Sequence, residues 1–348
     1  MLARCPEIRK FPHMRHSLLA VAVLTAALAG CSREATAPSS ADPAVAAAAQ
    51  AHADAVNAGF AAISARYLDE VMRLSPISAT QIGDHRFDAE VDDLSAAGRE
   101  AGLEFNRRYL TELDAIDFAA LSRENRVDAL ILKNTLEYGI WDTETLQSWA
   151  WDPQLYSGLA GGAIYNLMAR EFAPLPERLT SATARMEALP TLFAQMRDNL
   201  DPARVPKVHA DTVARQNRGL LSLVDQFIAP HAGSLDGDAR SRLDAAVAGL
   251  RAAVDEHQAW IDGTLVPNAA GDFRIGAELF DQKLRYSLNA SLSREEIRQR
   301  AEADIARVRG EMYTIARNVL EDRDGAPALP ATPDDAQQQA AIEAALEL

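Results

Sequence analysis

Five of the seven histidines, His52, His85, His209, His231 and His257, lie beyond Cys31, and they are the side chains best suited to hold a metal or move a proton near neutral pH. None is followed by a glutamate, and none has a second histidine four residues on. The two imidazoles and the base that a helical zinc-hydrolase motif needs on one face are therefore missing. There is no Gly-x-Ser-x-Gly turn to present a nucleophile, no glycine-rich phosphate loop and no calcium loop. From one-segment motifs no catalytic residue and no metal ligand is assigned. Carboxylate pairs for glycoside hydrolysis cannot be recognised by spacing when they come from separate helices.

Other groupings have two readings each. Asp84, His85 and Arg86 follow one another in an acidic polar loop, where they can brace neighbouring helices or contact a ligand in a cleft. Trp149, Trp151 and Tyr156 can form a ligand shelf or pack into the core at a helix end. His257 falls on an apolar stripe with Val254 and Ile261, the position of a core histidine with a satisfied hydrogen bond. Glu295-Glu296 and Asp334-Asp335 are helix-start acids that complement the macrodipole.

Cys31 has the clearest covalent chemistry. Arg15 and His16 form a basic head, Leu18–Leu28 an apolar run too short to span a bilayer, and Leu28-Ala29-Gly30-Cys31 a bacterial lipobox. Residues 1–30 read as a signal peptide, with Met14 as an alternative start, and the Cys31 sulfur as the atom that takes the lipid. Residues 31–41 read as the lipidated cysteine and a flexible tether of small polar residues. Cleavage removes Cys5, which leaves no disulfide and no thiolate metal site. The formal charge is −15 and the leader is net basic, so the mature chain is more acidic still and is repelled by nucleic acid and anionic lipid heads.

The rest of the chain, 42–348, reads as helical. Asp42-Pro43 opens a helix to about Arg73, and Ser75-Pro76 starts a short one ended by Gly83. Helices follow from Ser95 to Ile116 and from Ser122 to about Leu146; the second carries Val127, Leu130, Ile131, Leu136 and Ile140, enough to predict a central helix. Pro174, Pro176 and Pro190 predict starts of short helices, and Asp201-Pro202 and Pro206 predict another that runs to about Ile228. Leu243, Val247, Leu250, Val254 and Ile261 define a stripe from Asp238 to Asp262. Ser293 and Glu296 make a capping box ahead of the stripe Ile297, Ala301, Ile305, Val308, Met312, Ile315 and Val319. Gly271–Gly276 alternates and predicts a short strand or hairpin, and Thr332-Pro333 opens a last helix. The fold class is all-α, a multi-helix array with at most one short β-hairpin.

Four segments in order, P-x-x-A-T-x-x-G-D-H-R-x-D at Pro76–Asp88, W-D-P-x-x-Y at Trp151–Tyr156, G-D-F-R-I-G at Gly271–Gly276 and S-x-E-E-I-x-x-x-A at Ser293–Ala301, resemble the bacterial family called domain of unknown function 885, from about Ala61 onward. The resemblance implies a mostly helical protein, longer than this chain and similar in layout to zinc peptidases. In that family a His-Glu-x-x-Pro-Gly-His signature lies in the C-terminal part, and zinc is expected only where that part is present. This sequence holds no such signature, so the resemblance carries over no catalytic residue.

The leading expectation is the N-terminal part of a lipid-anchored peptidase-like protein, inactive by itself, with Asp84, His85, Arg86, Trp151 and Tyr156 as cleft or brace residues. Its partners are then the membrane, through the lipid, and a peptide-like substrate, with no nucleic acid. Ser32 rather than aspartate after Cys31 resembles lipoproteins sent to the outer membrane, facing the periplasm. The alternative is a complete, non-enzymatic periplasmic scaffold or binding lipoprotein. Under the first expectation the apolar faces of 127–140 or 297–319 stay uncovered.

Overall fold

The computed structural model describes residues 42–348. The leader, the lipobox with Cys31 and the tether lie outside the described residues. Asp42–Ala48 are the opening turns of the first helix, and the compact unit runs from Ala49 to Leu348.

Local signals start and stop the elements. Asp42 accepts a hydrogen bond from Ala44 N at 2.9 Å, and Pro43 opens α1 (Pro43–Leu74). Pro76 opens α2 (Pro76–Ile82), which Gly83 ends at φ +99°, a conformation that a Cβ would strain. Ser95 and Ser122 cap α3 (Ala96–Asp114) and α4 (Arg123–Trp141) by accepting from the third amide along. A π-helical turn at Asp142–Leu146 leads to α5 (Ser148–Trp151) and α6 (Pro153–Met168). Then come α7 (Leu175–Asn199), α8 (Lys207–Gln216), α9 (Gly219–Leu223), α10 (Gly237–Trp260) and α11 (Val266–Asn268). The chain continues through α12 (Ala277–Leu288), α13 (Arg294–Leu320, with the full capping box at Ser293 and Glu296) and α14 (Asp335–Leu346). No described helix is long and apolar enough to cross a membrane.

The largest core forms around α7. Leu179, Met186, Leu189 and Leu192 of α7 meet Ile164 and Leu167 of α6, Leu243, Leu250 and Val254 of α10, and Ile77 of α2. Each such side chain contributes about 1.5–3 kcal/mol when withdrawn from water. Phe60, Phe105, Tyr109, Leu132 and Leu136 make a second core between α1, α3 and α4. Tyr313, Leu320 and Ile342 join α13 to α14.

At the heart of the α7 core sits a charge. Arg185 is fully buried, and its guanidinium donates to Glu90 O at 2.8 Å, Pro76 O at 3.1 Å, Ala163 O at 3.2 Å and Thr80 Oγ1 at 2.6 Å. The Thr80 hydroxyl donates to Asp88 Oδ1 at 2.6 Å, and Asp88 also accepts from His85 Nδ1 at 3.0 Å. The His85 ring stacks on Phe172 with centroids 3.6 Å apart. Burial pulls the Arg185 guanidinium down to about 10, against the opposing pull of Asp88, Asp92 and Glu90, so it stays a cation at neutral pH. The Pro76–Asp88 segment is thus folded around an arginine that is distant in sequence.

Three expectations are corrected. Val127, Leu130 and Ile131 are about half exposed, so α4 buries Ala129, Leu132, Leu136 and Trp141 but leaves one apolar face open and is not central. Helical periodicity shows that a face is apolar, not what covers it. Ile305, Met312, Ile315 and Val319 of α13 are exposed in the same way. Pro190 does not begin a helix; it lies inside α7, where the buried neighbours Leu189, Leu192 and Phe193 outweigh the roughly 3 kcal/mol cost of an interior proline. Gly271–Gly276 forms no hairpin. Among the described residues the β pairing is a single isolated parallel bridge, Pro206 to Gly271. The reason is local: Asp272 Oδ1 accepts from Arg274 N at 2.9 Å, which closes a turn where a strand would have to extend.

His257 is buried as its stripe predicts, between Phe193 and Trp260 with both rings nearly parallel to its own, but its Nδ1 has no hydrogen-bond partner. Burial, with the nearby Arg197 charge, lowers its pKa to about 4. Two outcomes follow from this core. Arg185→Met leaves the carbonyls of Pro76, Phe87, Glu90 and Ala163, and Thr80, without this donor, and is expected to lower unfolding free energy in urea by about 3–5 kcal/mol. Arg185→Lys, lacking the planar fork, restores little of that loss. For His257, the unfolded chain takes up a proton near pH 6.5 that the folded chain refuses until about pH 4. Stability is therefore intact above that window and falls by up to about 3 kcal/mol as pH drops through it. His257→Phe keeps the stacking, so its stability relative to the parent should rise steadily from pH 6.5 to 4; a constant difference would contradict the assignment.

Candidate functional site

The segment Trp149–Tyr156 is positioned by its own polar atoms. Trp149 Nε1 donates to Thr143 O at 3.1 Å, Trp151 Nε1 to Leu146 O at 3.0 Å, and Tyr156 Oη to Trp149 O at 2.5 Å. Three aromatic side chains thus spend their polar tips on the backbone of the π turn and α5, which fixes where their faces point. Asp152 caps α6 by accepting from Gln154 N at 3.1 Å. Asp201 N donates to Ala150 O at 2.9 Å and ties the segment to the chain after α7. Burial pushes the Tyr156 hydroxyl up, so it remains a donor.

Two cavities flank this segment, and Asp152 borders both. The first, of about 740 Å³, lies between α2, the start of α3 and α6, with Trp149 and Tyr156 in its wall. Its floor is ordered by Arg99, which stacks on Trp149 at 4.1 Å and donates to Leu94 O at 3.1 Å and to Asn199. Asn199 Nδ2 in turn donates to Leu94 O at 2.7 Å. Arg99 is therefore already committed to the protein.

The second cavity, of about 650 Å³, opens on the other side, at Trp151. Its far wall is Phe273–Gly276, carried there because Gly271 lies against the Arg204–Pro206 backbone. The Gly271 amide donates to Val205 O at 3.0 Å, and a Cβ at this position would stand 1.9 Å from Arg204 O. Only glycine fits that approach. His209 of α8 stands 3.5 Å from Asp152 Oδ1 and stacks loosely on Trp151. Phe273 and Phe280 are exposed, and Lys283 and Arg294 complete the rim. Burial raises the Asp142 carboxyl, against the Ser148 hydroxyl and the Lys283 charge, which lower it.

The sequence-predicted residues divide between these places. Trp151 faces the second cavity and Tyr156 the first. Asp84, His85 and Arg86 line neither of them: Arg86 pairs with Asp84 at 2.7 Å and with Asp69 of α1, while His85 belongs to the Asp88 network. Sequence reasoning missed Arg185, Arg99, Arg274 and Lys283, and His209 was set aside with the other histidines. The one signal available for Arg274 was its place in G-D-F-R-I-G. The zinc that the family resemblance implies finds no fit here, because no three His, Cys, Asp or Glu side chains among the described residues converge to hold an ion.

The family model described as "Bacterial protein of unknown function (DUF885)" matches residues 76–347. Among solved structures, the chain is similar to one from Shewanella oneidensis described as "a putative lipoprotein of unknown function", with 28% identity and a TM-score of 0.69. The match covers 82% of this chain and 51% of that one, so the chain spans about half the length of this relative. No curated protein matches.

Proposed function

The chain belongs to the bacterial family of proteins of unknown function DUF885, and on that premise we propose that it is the ligand-binding helical part of a longer, lipid-anchored cell-envelope protein of peptidase-like layout. The ligand is peptide-like and sits in the cavity between Trp151 and Phe273. One observation carries this reading. W-D-P-x-x-Y and G-D-F-R-I-G, far apart in sequence, meet across one cavity whose large apolar rings are left open to water. Exposed aromatic side chains beside a few convergent polar groups are the usual make-up of a recognition site.

The anchor is argued from the lipobox at Cys31, and the description of the Shewanella oneidensis relative agrees with a cell-envelope protein. The outer membrane, facing the periplasm, follows from Ser32 by resemblance alone. The uncovered faces of α4 and α13, with the half-length match to that relative, favour a chain that works as part of a larger body. In such a body a zinc site outside these residues would supply the polarised water for hydrolysis. The residues of this chain bind and orient: Trp151 and Phe273 offer apolar walls, and Asp152 and His209 stand 3.5 Å apart beside them.

Calorimetric titration with an N-acetylated hydrophobic tetrapeptide should give saturable binding at about a millimolar or tighter. Phe273→Ala, a change at an exposed ring, should weaken it about tenfold or more without lowering the melting temperature. Absence of heat at millimolar peptide, or equal binding by Phe273→Ala, would contradict the reading.

A further inference from the structure

The cavity at Trp151 has a charge opposite to that of the protein. The chain is formally −15, yet this cavity is lined by three cations, Arg274, Lys283 and Arg294, and by one carboxylate, Asp152. That carboxylate is already engaged by the α6 amide of Gln154. Arg294 is neutralised by both oxygens of Asp281. Arg274 is largely exposed; its guanidinium lies 4.2 Å over the Phe273 ring, and its one ion pair among the described residues is a loose one with Asp272 at 3.6 Å. Lys283 is half-buried and has no carboxylate within ion-pair distance among the described residues.

A half-buried ammonium that touches no carboxylate is under-compensated, because the protein has removed part of its water and offers only the more distant Asp142 charge in return. Two under-used cations on one rim, in a field that is negative elsewhere, focus an anion to that spot. The apolar surface beside them is Phe273 and Phe280, both exposed, with Trp151 behind. Together these ask for an anion attached directly to an apolar group. A peptide C-terminus with a hydrophobic last residue has that form, since its carboxylate and its side chain leave the same carbon.

We propose that this cavity recognises the free C-terminal carboxylate of its ligand through Arg274 and Lys283, with the last side chain against Phe273 and Phe280. This rests on the reading that the cavity takes a peptide-like ligand, and it narrows the ligand to chains that end there. The guanidinium offers paired donors to the carboxylate oxygens, and the ammonium a point charge. Selection for an end over an internal segment follows, because an internal amide carbonyl can accept a hydrogen bond from these cations but brings no negative charge to pair with them.

The test compares N-acetyl-Leu-Phe carrying a free carboxylate with the same peptide as its C-terminal amide, by calorimetry on the chain from Ser32 onward and on the Arg274→Gln/Lys283→Met variant. The acid is expected to bind about tenfold or more tightly than the amide at low salt, a gap that shrinks as salt is added. In the double variant the ratio should fall to near one. Equal binding of acid and amide, with both lost in Phe273→Ala, would overturn the carboxylate assignment and leave the cavity as a peptide site. A preference for the acid that persists in the double variant would overturn it as well. If neither peptide binds, the peptide-site reading fails and this inference falls with it.

Discussion

A guanidinium buried among leucines constrains this fold more than any apolar contact does. Arg185 has given up its water, and its donors are repaid by acceptors from α2, from the turns after it and from α6. The planar fork fixes the directions in which those acceptors must stand. Because α2 and α6 form walls of the larger cavity, the arginine sets the shape of a space it does not border. It also accounts for the residue types of Pro76–Asp88. Thr80 must be small and hydroxylic, Asp88 must accept from both Thr80 and His85, and Gly83 must take a left-handed turn. That segment, the most distinctive in the sequence, is architecture at most of its positions.

The cavity proposed for recognition is built by a different device. The aromatic residues at Trp149–Tyr156 are held by hydrogen bonds to their own neighbourhood, which makes their faces rigid without enclosing them. Across from Trp151, a glycine pressed against the backbone near Arg204 presents Phe273 and Arg274. Rigid rings and lightly paired cations are thus supplied by segments that meet only in the folded chain. This cavity adds little to stability, since Phe273 and Phe280 stay exposed and contribute nothing to the core.

Much of the fold was legible because helix ends are written locally. Ser95, Ser122 and Ser293 cap where their types and spacing say they should, and Gly83 stops α2. What was illegible depends on partners far away in sequence. Arg185 reads as an ordinary polar residue in a helix, and only the carbonyls of Pro76, Glu90 and Ala163 reveal its role. Pro190 reads as a helix start until the packing around it is known. The stripes of α4 and α13 are amphipathic as their periods say, yet a period carries no information about a cover. The turn at Asp272 was misread as a strand because alternation is a weaker influence than a carboxylate next to an open amide.

The central claim is that the cavity joining W-D-P-x-x-Y to G-D-F-R-I-G is where a ligand sits. Hydrogen–deuterium exchange with and without a saturating hydrophobic peptide tests it most directly. The account expects slowed exchange in Ser148–Trp151, in Lys207–Gln216 and in the stretch from Gly271 to Lys283, with the Arg185 region unchanged. Protection confined to the α2–α6 cavity, or spread over the exposed faces of α4 and α13, would contradict it.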